Sequence, residues 1–165
     1  MATSKAYILP EAAITWKNTG GSELLTLTSV AAGAGRQGAL HDFGTSARSP
    51  DFAWRAWVKF ATAPVVGERV KIYWKTSDGT SPDNDDGTGD IALSAEDKLK
   101  NLMYLGAIVV DEASTAPVFV RSNEVYLPHR WGCPVFFNDT ADALSATAAD
   151  HGFSLTPVPV QGQAT

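Results

Sequence analysis

FAWRAWVKFATAPVVGERVKIYWK, residues 52–75, is the stretch whose reading decides the fold. Its first nine residues alternate. Phe52, Trp54, Ala56, Val58 and Phe60 fall on one side, Arg55, Trp57 and Lys59 on the other. Successive side chains of a strand point to opposite faces, so this is a strand with an apolar inner face and a mixed outer one. The last seven residues repeat the pattern, with Val70, Ile72 and Trp74 inward and Arg69, Lys71, Tyr73 and Lys75 outward. Pro64 and Gly67 in the connection suit a turn, and the pair reads as an antiparallel hairpin. Its expected outer face carries Arg55, Lys59, Arg69, Lys71 and Lys75, five of the chain's thirteen cations, with Trp57 and Tyr73 among them. Long cationic stems over aromatics are ordinary on a solvated sheet face. Trp, Tyr and Arg are also the usual anchors of interfaces. Arg55, Trp57, Lys59, Lys71, Tyr73 and Lys75 are therefore the candidate partner-binding residues.

Short strand-like runs continue on both sides: AITWK, SELLTLTSV, GALHDFG, YLGAIVV, PVFVRS, EVYLP, CPVFFND, ALSATAA and FSLTPVPV. Turn-forming segments such as NTGGS, GAGRQG and NDTAD punctuate them. Many short strands with regular turns predict an all-β chain, a jelly-roll-like β-sandwich of about eight to ten antiparallel strands. One short helix is expected from Ser94, with Asp97 completing a capping box and Leu99, Leu102 and Met103 on one face. Residues 1–165 read as a single domain with a flexible N-terminal segment and a C-terminal tail, TPVPVQGQAT, that frays or reaches a neighbour.

Composition narrows the function. The 165 residues are 44% hydrophobic and 19% charged, the profile of a globular domain with one good core. A net charge of −5 argues against general nucleic-acid binding, which needs a dense cationic surface. The single cysteine, Cys133, excludes an intrachain disulfide and a Cys-rich zinc site. The opening residues lack a cationic segment followed by an apolar run, so no secretory leader is expected. The longest aliphatic run, LGAIVV, is too short to span a bilayer. Folding in a reducing cytosol, with no membrane partner, is the expectation.

The motifs that suggest chemistry do not hold up individually. GAGRQG, residues 33–38, fits a dinucleotide fingerprint, but a strand follows it rather than the helix that would cradle a pyrophosphate. His41 adjoins Asp42 and His151 adjoins Asp150, yet neighbours on a strand face opposite ways and form no dyad through that adjacency. Cys133 opens an apolar strand and reads as packing. No catalytic residue, cofactor or metal is expected. Trp54 and Trp74 read as core, leaving Trp57 and Trp131 as aromatics that a sugar ring could stack on. The segment TSDGTSPDNDDGTGD, residues 76–90, holds five aspartates. It fails the EF-hand template from Asp83 or from Asp78. An irregular calcium site on Asp83, Asp85 and Asp90 is the other possibility weighed, against a long solvated connection.

GRQGALHDFG, FAWRAWVKFATAPVVGERVKIYW, LMYLGAIVV and PHRWGCPVFFNDTADALSATAADHGFSLTPV follow one another in an order that resembles small structural proteins of tailed bacteriophages. The resemblance runs from about Leu24 to Val158. It implies a virion component assembled in the host cytoplasm: a capsid decoration, or cement, protein that binds the major capsid protein and its own copies, or a tail-associated protein. The alternative is a carbohydrate-binding β-sandwich module of a tail or fibre.

Overall fold

The structure, a computed structural model, describes residues 6–46 and 48–162. Its strands are β1 (Ala6–Ile8), β2 (Ile14–Lys17), β3 (Glu23–Leu24), β4 (Gly35–Gln37), β5 (His41–Asp42), β6 (Asp51–Val58) and β7 (Arg69–Ser77). After these come β8 (Ile91–Ala92), β9 (Met103–Val109), β10 (Phe119–Tyr126), β11 (Trp131–Asp139), β12 (Gly152–Pro157) and β13 (Val160–Gly162). They form a β-sandwich. One sheet has five strands in the order β10-β6-β12-β2-β3, and the other has six, β8-β4-β11-β7-β9 with β5 also on β11. Apart from the two-residue β2–β3 contact, the pairings are antiparallel. A separate ribbon of β1 and β13 sets Ile8 opposite Val160.

The pairing is nested. β2 pairs with β12, β4 with β11, β6 with β10 and β7 with β9. The chain therefore winds from the outside of this set inward and back out, crossing between the sheets at each step except between the innermost pair, β7 and β9.

Alternation correctly assigned the inner faces. Phe52, Trp54, Ala56 and Val58 of β6 and Val70, Ile72 and Trp74 of β7 are buried in one core, with Trp16, Phe136 and Phe153. Trp54 stacks on Phe153 at 5.9 Å, and Trp16 meets Trp74 edge-on at 5.7 Å. Such pairs add to the stabilisation that apolar burial provides.

Several expectations need correction. β6 and β7 are not a hairpin. β6 lies between β10 and β12, and β7 between β11 and β9, so the chain between them crosses from one sheet to the other. PVFVRS and EVYLP are one strand, β10, and GAGRQG, expected as a turn-forming segment, contains strand β4. The helix expected from Ser94 is a single 3-10 turn, Glu96–Leu99, and Ala95 before it is extended. The Ser94 hydroxyl does not cap that turn; it donates to Asp86 Oδ1 at 2.7 Å. Met103, expected on that helix, lies in β9. ALSATAA contributes an isolated bridge, Leu144 to Phe60, rather than a strand. The expected fraying tail is paired through Gly162, and residues 163–165, like residues 1–5, lie outside the described part.

Candidate interaction surface

The sheet crossing separates the six candidate partner-binding residues. Arg55, Trp57 and Lys59 sit on the outside of the five-stranded sheet, Lys71, Tyr73 and Lys75 on the outside of the six-stranded one. They form no common face. Trp57 lies against Gly152 so closely that a Cβ there would come within 2.3 Å of its ring, and Lys17 Nζ stands 5.5 Å from the ring centroid. Lys71 pairs with Asp139 at 2.7 Å, and Tyr73 packs edge-on to Tyr104 at 5.3 Å. Trp131, the other aromatic considered for sugar stacking, covers Gly79, whose added Cβ would lie 2.9 Å from Nε1.

Lys75 is the largest departure. It was expected to point into solvent, and it is 0% exposed. It does point away from the main core, but the acidic segment folds over it. Lys75 Nζ donates to Gln37 Oε1 at 2.7 Å and to the Gly87 carbonyl. Gln37, also fully buried, donates through Nε2 to the carbonyls of Gly87 at 3.1 Å and Gly89 at 2.9 Å, and Asn84 Nδ2 donates to Gln37 Oε1 at 3.1 Å. Burial pushes the Lys75 ammonium below its ordinary pKa, partly offset by Cys133, Asp86 and Asp83. The ammonium is thus enclosed by the oxygens of Gln37 and Gly87, and none of Asp83, Asp85 and Asp90 is among its hydrogen-bond partners.

The aspartates are engaged locally. Asp90 has a side chain only 3% exposed; it accepts from Arg36 Nε at 2.7 Å, Arg36 Nη2 at 2.9 Å and Thr26 Oγ1 at 2.6 Å. Burial alone would raise its pKa, but the hydrogen bonds from Arg36 and Thr26 outweigh that and hold it below the usual carboxylate range. Asp83 accepts from the Thr76 amide at 2.9 Å, and Asp78 accepts from the amides of Thr80 and Ser81. Asp85 points outward, 4.0 Å from Lys98. Among the described residues no three His, Cys, Asp or Glu side chains are placed to hold a metal ion. The segment is a fastened cover: its outer residues are solvated, but Asn84, Asp83 and Asp90 tie it down. Beyond it Leu99, Leu102 and Leu93 pack on Val135, Phe137 and Tyr73, so the six-stranded sheet is covered on both faces.

The histidines are held in separate places. His41 Nδ1 lies 2.7 Å from Glu23, while Asp42 forms an ion pair with Arg130 at 2.6 Å. His151 is buried, with Nε2 2.8 Å from the Ser145 carbonyl and the Lys59 amide donating to Nδ1 at 3.3 Å. That pattern fits the neutral ring, and burial lowers its pKa.

Several exposed apolar residues lie on the edge strands at one flank of the sandwich. β9 and β10 are the edge strands of their sheets on that side. Met103, Tyr104 and Val109 of β9 are exposed, as are Val120 and Tyr126 of β10 and Val118 just before it. Tyr126, 60% exposed, stands between two grooves of 370 and 330 Å³. One is lined by Ile8, Phe52, Val125 and Val160, the other by Met103, Leu127, Pro128 and His129. Sequence reading missed this flank because apolar residues on a strand are read as core unless the strand's place at an edge is known.

No known family and no curated protein matches the chain. Among the described residues no helix is long and apolar enough to cross a membrane.

Proposed function

We propose that the chain is a structural protein of a tailed-phage virion, a capsid decoration protein that binds the major capsid protein and stabilises the head by surface contact. The observation that carries the reading is the exposed apolar side of the edge strand β9, with Tyr104 and Val109 on the outer face of the six-stranded sheet and Met103 at the start of the strand. Exposed apolar surface gathered along one side of a domain marks an interaction site. A protein that binds the assembled shell and not its dissociated parts shifts the equilibrium toward the shell by mass action. The nested strand pairing supports reading the sandwich as a jelly roll, an architecture that recurs in capsids. The motif order of the sequence points to the same class.

Co-sedimentation of the purified protein with undecorated phage heads tests this. Saturable binding is expected, and the double variant Tyr104→Ser, Val109→Ser should lower occupancy while leaving the melting curve close to wild type. Failure of the wild-type protein to sediment with heads would overturn the reading, and specific retention on a glycan array in its place would point to the carbohydrate-binding alternative.

A further inference from the structure

We infer that β10 pairs with β10 of a second copy across a two-fold axis, joining two five-stranded sheets into one. This contact goes beyond the virion reading and does not require a capsid.

An unpaired edge strand displays a row of free amide and carbonyl groups, and proteins blunt such edges by shortening them, bulging them or placing charge and proline on them. Three of the four sheet edges here are blunted. β3 and β8 are two residues long. β9 has a bulge: Ile72 pairs with Gly106 and Tyr73 with Tyr104, leaving Leu105 without a partner. β10 is different. It runs eight residues, FVRSNEVY, in unbroken register with β6, contains no proline, and its two charges, Arg121 and Glu124, are of opposite sign.

The polarity of its backbone is fixed. The Leu127 amide, just past the strand, donates to Pro50 on the β6 side at 2.7 Å, while the Glu124 amide is taken by its neighbour's side chain, Asn123 Oδ1, at 2.9 Å. Backbone groups alternate in direction along an antiparallel strand, so Val120, Ser122, Glu124 and Tyr126 present theirs outward.

The sequence of β10 complements itself when reversed. With Ser122 opposite Ser122, the outer face pairs Val118 with Tyr126 and Val120 with Glu124, and the inner face pairs Phe119 with Val125 and Arg121 with Asn123. Every facing pair then has both side chains on the same side of the sheet. Arg121 and Glu124 lie on opposite faces of the sheet, each facing an uncharged residue, so no like charges meet. Like charges directly opposite are destabilising, whereas aromatic and β-branched pairs stabilise. Moving the register two residues one way sets Arg121 against Arg121. Moving it the other way sets Arg121 against the apolar Val125 and Phe119 against Leu127, which is buried past the end of the strand and tied to Pro50. A one-residue shift turns every side chain to the wrong face. The pairing covers Val118 and Val120, each 44% exposed, together with Tyr126. It also replaces the local Asn123 cap on the Glu124 amide with the Val120 carbonyl of the second copy.

Sedimentation equilibrium on the isolated wild-type protein should show a concentration-dependent dimer. Ser122→Pro removes an outward amide and no ladder bond to β6, so it should give a monomer with unchanged circular dichroism and melting. Ser122→Cys should form a disulfide-linked dimer under mild oxidation, because facing residues of a hydrogen-bonded pair lie within disulfide reach. Thr80→Cys, on an exposed turn, is the control and should not. A wild-type protein that stays monomeric at all concentrations overturns the inference. So does a dimer that survives Ser122→Pro, or one in which Ser122→Cys cross-links no faster than the control. Binding to heads is read separately, so loss of one result leaves the other standing.

Discussion

Lys75 and Cys133 face each other across the β7–β11 ladder, and both are fully buried. An ammonium and a thiol are thus enclosed on the same side of the six-stranded sheet, beneath the acidic cover. Burial moves the two groups in opposite directions. It lowers the lysine and pushes the thiol from 9.0 up to about 12, with Lys75 opposing the second shift.

The thiol predicts an alkaline weakness. The unfolded chain loses the Cys133 proton near 9.0 and the folded chain only near 12, so the contribution of this group is whole below 9.0 and falls as pH rises through the window. The slope approaches about 1.4 kcal/mol per pH unit. Lys75 works the other way, gaining stability as pH climbs from its lowered folded value to 10.5. Urea melts at pH 8 and pH 10 should show that Cys133→Ala loses less stability over the interval than wild type. Equal losses would remove the thiol as the cause.

Lys75 itself separates two roles. Lys75→Met relieves a buried charge, while Gln37 Oε1 keeps its Asn84 donor and the Gly87 carbonyl its Gln37 donor. Global stability should therefore change by no more than about 1 kcal/mol, but the cover should loosen. Hydrogen exchange at the Leu40 amide, which donates to Thr88 at 2.8 Å, reads that loosening directly. Lys75→Glu sets a carboxylate against carbonyls and should lose about 3–5 kcal/mol. A surface role for Lys75 would make both variants harmless.

Asp90 ties the end of the cover to β4 and to Thr26. Asp90→Ala leaves Arg36 without its carboxylate and Thr26 without its acceptor, at a cost of about 2–3 kcal/mol by chemical denaturation. Since the folded carboxyl lies below its ordinary 3.8, its contribution is complete above that pH and disappears as pH falls below it. The gap between wild type and Asp90→Ala should accordingly narrow below pH 3.8.

His151 sets a milder acid limit. Its folded pKa lies below 6.5, so its stabilising effect is whole above 6.5 and declines as pH drops toward the lowered value. His151→Gln retains a donor for Ser145 and does not titrate. Its melting temperature should fall less than that of wild type between pH 7.5 and pH 5, and parallel curves would reject the assignment.

Sequence alternation determined which way Trp54 and Trp74 point because the period of a strand is a local property. It did not determine which strands meet. Whether the segment after Phe60 turns back beside β6 or crosses to the other sheet depends on where β10 and β12 dock, and those partners lie far along the chain. The same limit governed Lys75. Its alternation correctly placed it on the outer face of β7, but the cover that buries it is supplied by Gln37, Asn84 and Gly87. The five aspartates just after a strand lysine were the available signal, and composition alone read them as solvated. The β-bulge sits beside Gly106, whose φ is +151°, and the isolated glycine inside YLGAIVV was its signal in the sequence.

The β1–β13 ribbon has a mechanical consequence. Ala6 and Gly162 are directly opposite at one end of it, and the ladder continues through Tyr7–Gln161 to Ile8–Val160. Tension applied across Ala6 and Gly162 therefore opens the pairs in succession instead of shearing them together. The ribbon yields at low force, as a zip does, and extends before any load reaches the layered strands behind it.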